Sequence, residues 1–542
     1  MFFGKKKKNK FSSDIISPDE IFLDSKNIPD FDRQQFEGRI ELPIKHNLFL
    51  LVGFLFLAVG LLLLGRAGYL QVVRGEVFNE RAQNNHLKIF SITADRGLVY
   101  DRNGELLAWN TPDGRVYKDT AGLAHVVGYL GQSVEDMVGR AGIEKSFEEI
   151  LKGENGQRVM EMDSLFEIKS ESIQKFPVAG ENIVLTIDER VQGKMYDIFK
   201  EIAAERGFKG AAGVILDVET GGILAMVSYP EYDSQILTRG GPSESIKEFQ
   251  ADARKPFLNR VISGMYAPGS IVKPFMALAA LKEGVITPEK QIFSSGSISV
   301  PNPYFPELES VFYDWKAHGW VDMRRALAVS SNVYFYSIGG GYGDIGGLGI
   351  KKIREYMDLF GLGQKTGIAM EGEAKGVIPG PELSDDIWRV GDTYNVSIGQ
   401  GNFQVTPLQM ANAVAVIANG GIRTEPNFIL GKEPTVLNIV DIPEKYFNVV
   451  REGMTKAVLE GTAQGLSGLS VDIAAKTGTA ELGSEKSFVN SWIIGFWPYE
   501  NPRFAFSIVL ERGSVSNLIG GVFATRQLME WMIVHTPEYL TR

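Results

Sequence analysis

Between Leu48 and Gly65 the chain reads LFLLVGFLFLAVGLLLLG, eighteen uncharged residues that end at Arg66. Coiled as an α-helix, such a run is roughly 27 Å long, close to the ~30 Å hydrocarbon core of a bilayer. A helix of a soluble core would carry a polar stripe. A secretory signal would have a shorter apolar region and would not begin after 47 other residues. The run therefore predicts a membrane-spanning helix over residues 48–66 behind a tail at 1–47. Lys5, Lys6, Lys7, Lys8 and Lys10 gather far out in that tail; nearer the membrane, Arg33, Arg39 and Lys45 are balanced by Arg66, Arg74 and Arg81. The distal lysines favour a cytoplasmic N-terminus, and a long C-terminal part crosses largely regardless of charge. The expectation is a single-pass protein of the plasma (inner) membrane of a cell, with most of its chain outside the cytoplasm. Leu70 to Leu87 has amphipathic spacing and should continue helically outward.

Disulfides cannot hold the outer part together, because the 542 residues include no cysteine; thiolate catalysis and cysteine-ligated metal go with them. With 56 basic and 66 acidic side chains the net charge is −10, the wrong sign for a general nucleic-acid binder, and no nucleic acid is expected as a partner. His46, His86, His125, His318 and His535 show no metal-ligand spacing. Neither metal nor cofactor is expected.

Asp95 to Ala108 reads as two short strands joined by an Asn103-Gly104 turn, and a segment rich in glycine and charge follows over 110–180. A larger unit opens near Asn182. Gly213–Val218 and Ile223–Ser228 form a strong hairpin signal, and Ser491–Trp497 with Phe504–Leu510 form another at the far end. Between them the patterns are mostly helical, as in Met276–Leu281 and Leu408–Ile417. Strands at both ends with helices between predict an α+β domain whose antiparallel sheet is closed by its own termini.

No G-x-S-x-G nucleophile elbow occurs, so a serine–histidine–acid hydrolase is not expected. A lysine can activate a serine instead, if burial or neighbouring positive charge keeps it neutral. Pro268-Gly269-Ser270-Ile271-Val272-Lys273 offers that pair, with a glycine to turn the chain and an apolar helical run through Leu281 behind it. Three apart at a helix start, Ser270 and Lys273 share a face within hydrogen-bond reach, and the helix N-terminus aims N–H groups at developing negative charge. The bare spacing is common. Ser172-Ile173-Gln174-Lys175 has it too, without the glycine turn or the apolar helix, and is set aside. Sixty residues after Ser270, Ser330-Ser331-Asn332 stands between the apolar flanks Ala326–Val329 and Val333–Tyr336. A polar triplet so placed is a helix cap or a site. Lys476-Thr477-Gly478-Thr479 ends the apolar stretch Val471–Ala475. An edge strand there would pair with a peptide while Lys476 and Thr477 bind its carboxylate, and Gly478 would permit close backbone approach. Lys365-Thr366-Gly367 repeats the tripeptide in a glycine-dense loop with no strand before it, and is rejected.

Taken in order, S-x-x-K, S-x-N and K-T-G resemble the signature of the penicillin-recognising serine acyltransferases. Asn259-Arg260, Tyr266-Ala267-Pro268-Gly269-Ser270, Gly399-Gln400-Gly401 and Val405-Thr406-Pro407-Leu408-Gln409 sharpen the resemblance to class B penicillin-binding proteins of the penicillin-binding protein 2, or elongation transpeptidase, type. Arg96 to Ala108 resembles that family's membrane-proximal pedestal motif and His125-Val126-Val127-Gly128-Tyr129 a later one, so the resemblance covers roughly residues 93–535. It implies a transpeptidase domain over 182–542, a five-stranded antiparallel sheet flanked by helices, on a small pedestal (dimerisation-like) domain over 67–181.

It further implies a peptidoglycan D,D-transpeptidase of cell-wall synthesis and cell-shape maintenance, inhibited by β-lactams. Ser270 would attack the penultimate D-Ala carbonyl of a stem peptide and Lys273 would take its proton. Ser330 and Asn332 would relay protons and hold the peptide amide. The N–H groups of Ser270 and Thr479 would form an oxyanion hole, and Lys476, Thr477 and Thr479 would bind the terminal carboxylate. Implied partners are stem peptides ending in D-Ala-D-Ala, β-lactams, membrane lipid and a membrane glycosyltransferase of the cell-wall machinery. A D,D-carboxypeptidase or β-lactamase would let water resolve the same acyl-enzyme, and a β-lactam receptor or scaffold of the elongation machinery would not turn over. The anchor, the pedestal and three intact motifs weigh against these alternatives.

The chain departs from the family at two places. Only about twenty residues separate Gly104 from His125, so the pedestal's head insertion, and its contacts with a glycosyltransferase, look missing. Ile271 stands where a small residue is common and should face the packed side. Some relatives bind zinc near the second motif; here Asp314 and His318 lie in that region without a cysteine to join them.

Overall fold

A computed structural model describes residues 46–133, 137–162, 167–302, 305, 307–383, 387–483 and 485–541. The Lys5–Lys10 cluster and nearly all of the predicted tail lie outside the described residues. Contacts divide the chain into two compact units, Met1–Lys88 with Met160–Ser170 and Ile89–Val159 with Glu171–Arg542.

In the first unit, helix α1 (His46–Gly68) has no buried residue, and Phe54 and Leu62 are each 72% exposed. An apolar surface on every side suits lipid and not water. Counted to Val73 the helix is 28 residues long with a mean hydropathy of 2.9, long and apolar enough to cross a membrane. The outward extension is interrupted, however. Tyr69–Val73 is a π-helical turn that ends at Arg74, and a separate helix runs from Gly75 to His86. The wider turn breaks the helical register, so one continuous amphipathic helix to Leu87 does not form.

The second unit is built on an antiparallel sheet of β1 (Gly210–Asp217), β2 (Ile223–Tyr229), β3 (Ala474–Leu482), β4 (Phe488–Trp497) and β5 (Phe504–Ser514) in the order β2-β1-β5-β4-β3. Strands from the two ends of the domain meet where β1 pairs with β5, from Gly210↔Glu511 to Asp217↔Phe504. Helices α2 (Glu189–Arg206), α3 (Lys273–Lys282), α4 (Met323–Val329), α5 (Asn332–Gly340), α6 (Pro407–Asn419), α7 (Glu444–Glu460) and α8 (Gly521–His535) surround it. Successive strand residues enter two cores. Val214, Met226, Trp492, Ile494 and Val509 pack with α3, α5 and α6, whereas Ile215, Val227, Ile493, Ile508 and Leu510 pack with α2 and α8. Because both parities are apolar, the sheet is covered on both faces. Helix α3 lies at the centre of the first core. Every residue from Lys273 to Leu281 is buried, which puts one amine where a solvated charge has no place.

Upstream, Val99–Tyr100, Leu106–Thr111, Gly114–Tyr117 and Ile183–Val184 make a small sheet. The Asn103-Gly104 turn forms as expected, with the buried Asp101 carboxylate accepting the N–H of Asn103 at 2.7 Å and of Glu105 at 2.9 Å. Leu106–Thr111 and Gly114–Tyr117 join directly through Pro112 and Asp113. Glu144 is one acid in a charge-rich stretch of sequence, yet it is fully buried and accepts Arg96 Nε at 2.6 Å and Arg115 Nε at 2.7 Å. Two guanidinium partners offset the cost of burying a carboxylate there.

Candidate active site

The loop that carries Ser270 is held from three sides. Tyr266 and Val405 exchange backbone hydrogen bonds of 3.0 and 2.9 Å, the Trp492 indole on β4 donates to Ala267 O at 3.0 Å, and Gly269 N–H donates to Gly399 O at 2.9 Å. A Cβ on Gly399 would stand 2.2 Å from Gly269 O, so only glycine fits. The Val405–Gln409 run has an equally local cause. Thr406 and Gln409 close a capping box at the start of α6, with Pro407 in its first turn. Arg260 is buried with its Nε 2.6 Å from Glu511 on β5, which ties the segment leading to Ser270 back to the sheet. Gly269–Val272 is a 3₁₀ turn that runs straight into α3, leaving Ser270 half-buried, Ile271 buried on the packed side as expected, and Lys273 sealed.

At the second motif both readings of the polar triplet hold, on neighbouring residues. Ser331 is the cap of α5, its Oγ accepting Tyr334 N–H at 3.3 Å. Ser330 ends α4 in the left-handed conformation, φ 58°, uncommon for a residue with a side chain and a mark of a functionally constrained turn.

The sequence reading gave Asp314 no role at this motif, and the structure gives it one. Its Oδ2 accepts Ser331 Oγ at 2.7 Å, Ser294 Oγ at 3.1 Å and Val333 N–H at 3.1 Å; its Oδ1 accepts the N–H groups of Asn332 and Trp315, both at 2.9 Å. A carboxylate at the N-terminus of α5 is favoured there and fixes the motif. The donors do not fit a metal ion. Both oxygens are taken by hydrogen bonds, and His318 Nε2, at 3.6 Å, is the only other candidate side chain beside it; among the described residues no group of three ligands gathers. Nothing local in sequence marks Asp314, because its partners lie on separate segments.

The three motifs converge on one hydroxyl. Lys273 Nζ donates to Asn332 Oδ1 at 2.7 Å, Ser330 O at 2.8 Å and Ser330 Oγ at 3.2 Å. Lys476 Nζ donates to the same Ser330 Oγ at 2.9 Å and to Thr477 O at 2.8 Å. Both lysines are wholly buried. Burial pushes the Lys273 amine down to about 7 against the opposing pull of the Asp314 carboxylate. Lys476 is driven well below the usual lysine range, by burial first and by the charge of Lys273 second. Two ammonium groups on one hydroxyl repel, so the pair favours holding a single proton. One expectation is corrected here. All three hydrogens of Lys273 go to the second motif and none to Ser270, whose side chain opens into the cleft. Three acceptors match the three ammonium donors and outcompete a lone hydroxyl.

Ser270, Ser330, Asn332, Thr477 and Thr479 line a cleft of about 1170 Å³. One wall is β3, which pairs only with β4 and leaves its other edge free among the described residues. The two-residue period of the strand sorts its side chains: Lys476, Gly478 and Ala480 are buried, while Thr477, Thr479 and Glu481 line the cleft. The expected carboxylate cradle is therefore split, with Thr477 and Thr479 at the surface and Lys476 beneath them. Thr477 Oγ1 lies 2.6 Å from Thr462 Oγ1, a residue without motif character. The room that Gly478 leaves is filled by the turn that carries Ser270, since a Cβ would stand 2.9 Å from Ile271 and 3.0 Å from Pro268 O. The rejected copies stay apart from the cleft: Ser172 lies on the exposed strand Ile168–Lys175 and Lys365 on an exposed loop.

Comparison with known proteins bears on the family and the fold. Residues 211–526 match the family described as penicillin binding protein transpeptidase domain, and residues 109–185 the penicillin-binding protein dimerisation domain. The peptidoglycan D,D-transpeptidase MrdA of Escherichia coli (strain K12) is 30% identical over 78% of this chain and 71% of its own length. Penicillin-binding protein 2 of Helicobacter pylori, solved in complex with MreC, superposes with a TM-score of 0.71 at 25% identity, covering 82% of this chain and 99% of its own. A chain in the structure titled "Structural coordination of polymerization and crosslinking by a peptidoglycan synthase complex" gives a TM-score of 0.70 at 27% identity, covering 89% and 98%.

Proposed function

Because this chain belongs to the penicillin-binding protein transpeptidases, as a class B protein of the penicillin-binding protein 2 type, we propose that Ser270 is its nucleophile and that Lys273, Ser330, Asn332 and Lys476 govern the proton it releases. The protein is a serine-type peptidoglycan D,D-transpeptidase of cell-wall synthesis and works within the cell-wall machinery. The observation that carries the site assignment is the meeting of two buried amines on Ser330 Oγ beside an open Ser270.

In the proposed reaction the Lys273 amine, once neutral, takes the proton of Ser270 Oγ as that oxygen attacks the penultimate D-Ala carbonyl carbon of a stem peptide. The N–H groups of Ser270 and Thr479 receive the oxyanion, a contribution of ~3–4 kcal/mol where such donors have been removed from other enzymes. Asn332 holds the peptide amide. Thr477 and Thr479 bind the terminal carboxylate directly, with the amine of Lys476 beneath. When the peptide C–N bond breaks, Ser330 passes the proton from Lys273 to the departing D-Ala amine. An acceptor amine of a neighbouring strand then attacks the ester, the C–Oγ bond breaks, and Ser270 regains its proton. A β-lactam enters the first half of this sequence through its strained amide and stops there.

The arrangement in the cell belongs to the same proposal: α1 as a single-pass anchor, the N-terminus cytoplasmic, pedestal (67–181) and transpeptidase domain (182–542) outside, and a membrane glycosyltransferase alongside. Incubation with a labelled penicillin followed by mass spectrometry should place one adduct on the Ser270 peptide and none in Ser270→Ala. An unmodified Ser270 sinks the assignment. Products formed from lipid-linked precursor, with and without a D-amino acid acceptor, separate transfer from hydrolysis.

A further inference from the structure

Thr477 reaches the cleft with a partner already on its hydroxyl. Its Oγ1 donates to Thr462 Oγ1 at 2.6 Å, the short end of the range for hydroxyl pairs. Thr462 stands just past α7, behind Gly461 and fifteen residues before Thr477; it is half-buried and lines the cleft itself. Backbone contacts hold it there. Its N–H donates at 3.1 Å to Ala328 O, two residues before Ser330, and a Cβ on Gly461 would stand 2.2 Å from that same oxygen. The contacts close a ring that joins the second motif to the third. Ala328 O accepts from Thr462, Thr462 meets the Thr477 hydroxyl, and Lys476 Nζ links Thr477 O at 2.8 Å to Ser330 Oγ at 2.9 Å. A change of side chain at 462 spares the backbone link and removes only the hydroxyl.

The hydrogens of the two threonines decide what Thr477 can offer a ligand. This step rests on the proposed transpeptidase reading, in which Thr477 binds the terminal carboxylate of the donor peptide. An ionised carboxylate only accepts, so Thr477 has to turn its one hydrogen toward it. That turn breaks the bond to Thr462 unless Thr462 donates in return. Thr462 has a hydrogen for the purpose, since among the described residues its hydroxyl bonds only to Thr477. Hydrogen bonds that run in one direction polarise one another and strengthen the last of the chain. We propose that Thr462 is a positioning residue for the carboxylate site, taking the hydrogen of Thr477 as the structure shows and giving its own to Thr477 once a carboxylate binds. Thr462 thus acts through Thr477 and not on the reacting bond, and its loss should weaken donor binding while sparing turnover.

The test is a double-mutant cycle on the full-length protein in detergent. Transfer from one soluble peptide ending in D-Ala-D-Ala to one fixed D-amino acid gives KM and kcat, with active sites counted by labelled penicillin. Thr462→Val should raise KM about fivefold, the worth of one hydrogen bond, with kcat per counted site within about twofold of wild type. Thr462→Ala, which cannot crowd Thr477, should match it, and Thr462→Ser, which keeps the hydroxyl, should hold KM within about twofold of wild type. Because 462 acts through 477, Thr462→Val combined with Thr477→Val should be no weaker than Thr477→Val alone, about tenfold above wild type. Independent contacts would multiply to about fiftyfold. An unchanged KM in Thr462→Val and Thr462→Ala, a serine variant as weak as the valine one, or multiplied effects in the double variant overturns the inference. Any of these results with normal penicillin uptake on Ser270 removes this inference alone; absence of both uptake and transfer removes the function it rests on.

Discussion

In β3, Lys476-Thr477-Gly478 is extended and the strand period turns Lys476 into the protein, where its Nζ meets Ser330 Oγ, and leaves Thr477 on the cleft. In the loop that holds Lys365-Thr366-Gly367 the order is reversed. Lys365 is exposed, Gly367 turns the chain at φ 88°, and the buried Thr366 directs both its N–H and its Oγ1 at Glu373 Oε1, each at 2.6 Å. Identical residues thus give a desolvated amine with lowered proton affinity in one place and a lysine standing in water in the other. What separates them is the element that carries them. A strand with an unpaired edge offers alternating inner and outer positions at fixed spacing, and a turn does not.

The largest effect expected from that difference is on Ser270 acylation. Lys476→Ala should slow acylation by labelled penicillin by about a thousandfold, since it removes one of the two amines that set the proton position on Ser330. Lys365→Ala should leave the rate within about twofold of wild type, because that side chain is exposed on a loop and does not line the cleft. A large loss from Lys365→Ala would break the comparison outright.

Asp314→Asn is expected to have the next largest consequence. The variant sets an amide NH₂ against groups that donate to the carboxylate, Ser331 Oγ and the N–H of Asn332 and Val333 among them. Losing buried hydrogen bonds of this kind costs ~1–3 kcal/mol each where a donor is left unpaired. Acylation should fall by roughly 10- to 100-fold as Asn332 loses its fixed position, and the melting temperature should fall with it.

In the proposed reaction Lys273 can act as the base only when neutral, and burial brings its amine down to about 7. The acylation rate should therefore climb about tenfold per unit on the acid side of that value and level off above it. The Asp314 charge holds the Lys273 proton on, against burial. In Asp314→Asn the midpoint should then move to lower pH, a shift that a merely loosened site would not produce. A profile that stays in place would separate Asp314 from the proton inventory.

The sequence carries the fold to the extent that local patterns do. The hairpin signals at 213–228 and 491–510 and the apolar α3 are legible because each is made by neighbours in the chain. The motif residues were legible for the same reason: Ser270, Ser330 and Lys476 each sit in a short pattern of fixed spacing. Asp314, Thr462 and Glu144 were not, because each is defined by partners many residues away and by no pattern around itself. The direction of Lys273 toward Ser330 was hidden as well. Helix spacing places Ser270 beside it, and only the assembled core reveals the three acceptors that claim its hydrogens.

The smallest effects sharpen the comparison at the two threonines. Thr477 is half-buried on the cleft with its hydroxyl 2.6 Å from Thr462, and Thr366 is a buried donor to a buried carboxylate. Thr477→Val keeps the shape and removes one hydroxyl from the proposed carboxylate site, so KM for a D-Ala-D-Ala donor should rise by about tenfold with little change in melting temperature. Thr366→Val removes one of two bonds to Glu373 and leaves part of that carboxylate's need unmet, at a cost of ~1–3 kcal/mol. Its melting temperature should drop by roughly 2–4 °C while kcat/KM per penicillin-counted site stays at the wild-type value. Thermal melts and donor kinetics on the two variants give a crossed pattern, stability lost at 366 and affinity lost at 477. If both variants lose both properties, burial does not sort the two copies, and the strand position of Lys476 would no longer explain why only that tripeptide serves the cleft.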